Sequence, residues 1–163
     1  VCTSPRYGVP PGCSVRSPDP RVQRLIELFE TLQPADLVKL GDFYAADAKF
    51  KDPFNEVCGV PAIRGVFEHM FVALDVPRFV VREAIVDGDQ CFLAWDFIFR
   101  FKRFESDEQI VRGGSHLRFG ASGLIELHRD YWDAAEELYE KLPGVGALMR
   151  WLNMACAWAR PSR

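Results

Sequence analysis

Apolar positions along this chain change period once, near Pro77. Ahead of it Val22, Leu25, Ile26, Phe29 and Leu32 recur at helical spacing. Asp19-Pro20 supplies a cap followed by proline at the first helical position, which predicts a helix from there to Pro34. A second, short helix is predicted over Ala35–Phe43, with Leu37, Leu40 and Tyr44 on one side. A third runs from Pro61 to Leu74 and buries Ile63, Val66, Phe67, Met70 and Phe71. Beyond Pro77 come four strand-like runs, Phe79–Val86, Cys91–Phe104, Gln109–Phe119 and Leu124–Trp132. Asp87-Gly88-Asp89, Ser106-Asp107-Glu108 and Gly120-Ala121-Ser122-Gly123 join them as turns. Asp133 and Glu136 make a capping-box-like start to a helix over 134–142. Pro143-Gly144 breaks it, and Val145–Ala159 forms an amphipathic helix, apolar through Leu148, Trp151, Leu152 and Ala155, that covers a cavity mouth or docks on the sheet. Helices followed by an antiparallel meander predict an α+β fold, a curved antiparallel β-sheet wrapped around the N-terminal helices. The organisation expected is a flexible N-terminal arm over 1–17, one domain over 18–142, and a C-terminal helix and tail over 143–163.

Composition narrows the function classes. At 163 residues and 48% hydrophobic content one domain can bury about 70% of its unfolded surface. Thirteen Phe and four Trp suit either a packed core or the lining of an apolar cavity, and periodicity does not separate these. A net charge of −3, with no basic run longer than two residues, argues against a nucleic-acid partner. Five scattered cysteines without Cys-x-x-Cys spacing fit reduced thiols, so a cytoplasmic location is expected. Residues 1–17 hold three prolines and no apolar central region of leader type, and no apolar run has the ~20 residues of a membrane span.

The richest segment chemically is Phe43-Tyr44-Ala45-Ala46-Asp47-Ala48-Lys49-Phe50-Lys51-Asp52-Pro53-Phe54, which sets a carboxylate among aromatic and apolar residues. Pro53 keeps Asp52 out of the helical region, so the chain runs extended to Asp52 and then turns. If Asp52 faces the interior, burial makes it a proton carrier. If it faces its own turn, it caps the bend before Pro53. The pattern Tyr-Ala-x-Asp-Ala, three residues, Asp-Pro-Phe, then Gly59 and the apolar helix around Ile63 resembles the ketosteroid isomerase and SnoaL-like branch of the nuclear transport factor 2-like superfamily. Leu117-Arg118-Phe119, Gly123-Leu124-Ile125 and Tyr131-Trp132 resume the resemblance, which covers roughly residues 20–135.

That resemblance implies a cone-shaped sheet and gives Asp52 the position of the isomerase general base. It also places Trp132, Asp130 and His128 along one cavity-lining strand face. Strand alternation puts Trp95, Phe97 and Phe99 together on the aromatic side, and the implied ligand-binding set is Phe50, Trp95, Phe97, Phe99, Ser115, Leu117 and Trp132. His128 and Asp130, two apart on one face, read as acid/base equipment or as a buried hydrogen-bonded pair. No third ligand at metal spacing accompanies them, so neither a metal nor a cofactor is expected. The isomerase's two enolate donors correspond to Leu28 and Ser115, and losing one such donor costs about 2.7–4 kcal/mol of transition-state stabilisation. Limonene-epoxide hydrolases and SnoaL-type cyclases carry a catalytic Asp in a sequence similar to Arg129-Asp130-Tyr131. The hydrolase's Arg two residues before a central-strand Asp corresponds to Ala94, ahead of Asp96.

Three readings stand on the sequence. One is a cofactor-independent isomerase, cyclase or lyase moving protons on a small hydrophobic carbonyl compound, with Asp52 as base and Asp130–His128 as acid. The second is a non-catalytic ligand-binding or dimerisation module, and the third an epoxide-hydrolase-like enzyme. A homodimer is expected through the opposite sheet face, where Asp96 would pair with an Arg of a second copy.

Overall fold

The computed structural model describes residues 15–102 and 107–132. The expectations for 1–14, Phe104, Ser106, Asp133 and the helices over 134–142 and 145–159 fall outside the described residues.

Helix α1 (Pro20–Thr31) starts as its sequence requires: Asp19 accepts a hydrogen bond from the Arg21 amide at 2.8 Å, with proline at the first position. Val22, Leu25, Ile26, Leu28 and Phe29 form its buried stripe. The short helix expected over Ala35–Phe43 is a 3-10 helix, Pro34–Asp42, burying Leu37 and Leu40. Helix α2 (Val60–Ala73) begins after Gly59 at φ 88, where the amide of Gly59 donates to the Ala48 carbonyl at 2.8 Å. A Cβ on Gly59 would stand 3.3 Å from the Ala46 carbonyl oxygen, so both backbone angle and space call for glycine.

The strands are β1 (Tyr44–Lys51), β2 (Glu56–Cys58), β3 (Leu74–Asp87), β4 (Gln90–Phe101), β5 (Gln109–Phe119) and β6 (Ile125–Trp132). They form one sheet in the order β2-β1-β6-β5-β4-β3. The β3–β6 meander is antiparallel as expected, but β1 lies parallel to β6, with Phe50 opposite His128. The sheet is therefore mixed. Side-chain alternation is the same in either direction, so the pattern that revealed the strands does not contain their polarity. Helix α2 packs on β3 at one end of the order and on β1 and β2 at the other, closing the curled sheet into a cone.

Pro77 does not separate helix from strand. Strand β3 starts at Leu74, and the ladder skips Val76 and Pro77, with Val76 at φ 47. A bulge is how a strand accommodates a residue without an amide hydrogen. A second bulge lies between Val81 and Glu83, and there the Val81 amide donates to the Glu30 carboxylate of α1 at 3.1 Å. Lys102, past the end of β4, donates to the Phe71 carbonyl in the last turn of α2. No helix among the described residues is long and apolar enough to cross a membrane.

Candidate functional site

Inside the cone is a cavity of about 310 Å³. Strands β3 and β4 give it Phe79, Trp95, Phe97, Phe99 and Phe101, while β1 and the turn after it give Phe50, Asp52, Phe54 and Asn55. Helix α2 contributes Val66, Phe67, His69, Met70 and Ala73, and β6 contributes Asp130 and Trp132. The wall is a chain of ring contacts: Phe79 stacks on Phe97 at 4.5 Å between centroids, Phe97 meets Phe99 at 5.0 Å, and Phe54 meets Trp132 edge-on at 5.3 Å. Glycine makes room for the indole of Trp95. A Cβ on Gly113, directly across the ladder, would sit 2.4 Å from its Cη2. A larger hollow of about 420 Å³ lies along α1 beside Val15, the first described residue, and carries Glu27 and Glu30 but no group poised for chemistry.

One polar chain runs from the cavity into the core. Asp130 Oδ1 accepts from Ser115 Oγ at 2.5 Å and lies 2.8 Å from His128 Nε2. Ser115 Oγ accepts from Trp95 Nε1 at 2.9 Å. On the far side of the imidazole, Nδ1 lies 2.6 Å from the Tyr44 hydroxyl. His128 is buried among rings, with Tyr44 stacked at 5.9 Å and Phe50 edge-on at 4.8 Å. Burial first, and the Asp130 charge second, push the Tyr44 phenol well above its ordinary pKa of 10.0, so its proton stays on oxygen. Asp130 Oδ2 has no hydrogen-bond partner among the described residues. Since no buried side-chain nitrogen or oxygen there lacks one, Oδ2 is accessible, and its carboxylate borders the cavity.

The expected residues divide. Phe50, Trp95, Phe97, Phe99, Trp132 and Asp130 line the cavity. Ser115 and His128 stand behind the lining as its polar support, and Leu117 is wholly buried core away from it, a correction to its expected place. Asp52 borders the cavity but is only partly buried, and its carboxylate is turned to its own bend. Oδ1 accepts from the amides of Phe54 at 2.7 Å and Asn55 at 2.6 Å, and Asn55 Nδ2 reaches both oxygens. No hydrogen bond joins it to Asp130 or His128; the turn after Pro53 supplies three donors within three residues and satisfies it locally. Asp96, on the outward face, is paired with Arg82 of the same chain at 2.7 Å and does not enter the cavity. Tyr44, bonded to His128, and His69, at the cavity, lie outside the expected set of site residues. Tyr44 carried a signal, since a tyrosine at an apolar-face position brings a hydroxyl that must find a partner. No group of three or more His, Cys, Asp or Glu able to hold a metal occurs among the described residues.

The fold agrees with known structures. A hypothetical protein with a ketosteroid isomerase-like fold from Catenulispora acidiphila, in complex with trimethylamine, superposes with a TM-score of 0.64 at 18% identity, covering 76% of this chain and 92% of that one. TsrD from Streptomyces laurentii gives 0.65 at 17%, over 78% and 98%. An LEH-like epoxide hydrolase of M. tuberculosis gives 0.59 at 15%, over 85% and 97%. No curated protein matches the chain in sequence. The model of the SnoaL-like domain matches residues 22–128, and the chain belongs to that family.

Proposed function

We propose that this SnoaL-like protein binds a small hydrophobic compound in the aromatic cone and moves a proton on it with Asp130, as a cofactor-independent isomerase, cyclase or lyase. The observation that carries the reading is the division of labour at Asp130. Oδ1 is fixed by Ser115 and His128, while Oδ2 is left accessible at an apolar cavity. A carboxylate held on one oxygen and free on the other is oriented for transfer at the free one. Asp52 enters this reading as the residue that shapes the turn at the cavity rim. His128 and Ser115 act through Asp130.

A second reading, a ligand-binding module, is favoured by one feature. Leu28 and Ser115 replace the enolate donors of the isomerases, and the Ser115 hydroxyl is already committed to Asp130. An epoxide-hydrolase-like reaction has less support, because Asp96 faces outward. Self-association belongs to the same proposal, through the outer sheet face where Ile85, Phe92 and Tyr131 are exposed; within the single chain Asp96 on that face is bonded to Arg82.

Deuterium incorporation from D₂O next to the carbonyl of 2-decalone tests the catalytic reading. The protein should exceed buffer, Asp130→Asn should lose about 10²–10⁴-fold, and Asp52→Asn should keep most of the rate. Equal rates with and without protein, or an undiminished Asp130→Asn, would overturn it.

A further inference from the structure

We propose that the compound this cavity selects carries a protonated amine, set with its N–H on Asp130 Oδ2 and its alkyl or aryl body against the surrounding rings. This rests on the cavity being a ligand site, as proposed above, and follows the ligand-binding reading: an ammonium held on Oδ2 makes Asp130 a binding group.

The charge state of the polar chain comes first. The only described acceptor for the buried Tyr44 hydroxyl proton is His128 Nδ1, at 2.6 Å. Nδ1 is therefore the accepting nitrogen, and the ring proton sits on Nε2, facing Asp130 Oδ1. A second proton on the imidazole would leave the Tyr44 hydroxyl buried with nothing to donate to, a costly arrangement. A neutral His128 with its proton on Nε2 satisfies both Tyr44 and Asp130, and serves Asp130 as a hydrogen-bond donor. Ser115, the other donor, is neutral as well.

Nothing else in the lining supplies the missing charge. Among the described lining residues there is neither Lys nor Arg, and Asp52 adds a second carboxylate. His69, exposed on α2, is the one basic ring, and it has no bond to either carboxylate. The remaining wall is chiefly aromatic, and ring faces attract cations. Carboxylate or phosphate compounds would meet two carboxylates and no lysine or arginine among the described lining residues. An alkylammonium group meets a free acceptor, an unbalanced charge and aromatic rings in one volume. This differs from the demand of an enolate-forming site, where donors must gather around a developing negative oxygen.

The test uses two probes of one shape. N,N-dimethylbenzylamine, protonated at neutral pH, and isobutylbenzene differ at a single heavy atom, and their binding is read by calorimetry and from tryptophan fluorescence, to which Trp95 and Trp132 at the cavity contribute. The protein should bind the amine about tenfold more tightly than the hydrocarbon, and phenylacetate more weakly than either. In Asp130→Asn the preference should fall to near one while hydrocarbon binding persists. Equal or tighter binding of isobutylbenzene by the unaltered protein would overturn the charge assignment and leave the cavity reading intact. Binding of none of the probes would overturn both.

Discussion

Asp52 and Asp130 border the same cavity, sit at the ends of neighbouring parallel strands, and yet are held in opposite ways. Asp52 follows β1 into a turn, and three donors from Phe54 and Asn55 close around it. Asp130 lies within β6, where its own backbone is engaged with β5, and its side chain has one partner two residues back on the same face, His128, and one across the ladder, Ser115. It finds them on one oxygen only. A carboxylate closed by its own turn shapes the chain; one whose partners, His128 beside it and Ser115 across the ladder, are themselves held by Tyr44 of β1 and Trp95 of β4 leaves an atom for something that is not protein.

The comparison is broken most severely from behind Asp130. Gly113→Val would put side-chain atoms where Trp95 now lies, forcing the indole from its seat and from Ser115. Overpacking and the lost buried bond together should cost about 3 kcal/mol in urea unfolding. Ligand binding should fall with it. The Asp52 turn should keep its geometry, as seen in unchanged amide shifts at Phe54 and Asn55; if those move as much as the amides of β5 and β6, the two carboxylates are not independent.

Tyr44→Phe sharpens the difference more gently. It removes the hydroxyl from Nδ1 and leaves a buried ring nitrogen unpaired, a loss of about 1–3 kcal/mol. The ¹⁵N spectrum of His128 should show a protonated Nε2 and an unprotonated Nδ1 at neutral pH in the unaltered protein. Tyr44→Phe should release that single tautomer into a mixture. Both nitrogens protonated in the unaltered protein would contradict the neutral donor role.

The parts of the fold legible in sequence were those with a local cause. Asp19-Pro20 announces α1 by itself, and β5 begins and ends where alternation says it should, at Gln109 and Phe119. β2 escaped because three residues, Glu56–Cys58, are too few to show a period. The site was legible as a set of faces: alternation from Trp95 to Phe99 located the aromatic wall. It was not legible as a set of bonds. Whether Asp52 looks inward or caps its turn depends on the rotamer its neighbours' amides select, and the link from Tyr44 to His128 joins residues 84 positions apart through a parallel pairing that sequence alternation does not encode.

Asp52→Ala should accordingly behave as the loss of a turn. About 1 kcal/mol of stability should go, in the range of other side-chain caps, with the His128 spectrum and the amine preference of the cavity unchanged. A shift in either would return Asp52 to the site.

Asp19 provides an effect no larger than that of Asp52→Ala, and the scale for a purely structural carboxylate. Its side chain receives the Arg21 amide and guanidinium, and the latter contact is the first cause holding its pKa below the usual 3.8. A depressed acid contributes stability above its unfolded pKa and loses it as pH falls through the folded value. The difference in stability between the unaltered protein and Asp19→Ala should therefore be about 1 kcal/mol at neutral pH, steady down to roughly pH 4–5, and should shrink below that as the carboxylate takes up its proton. Urea midpoints at pH 7 and at pH 3 measure it. A difference that grows on acidification would mean the carboxylate is not what holds the start of α1, and a difference at pH 7 larger than that of Asp52→Ala would reverse the order of the two caps.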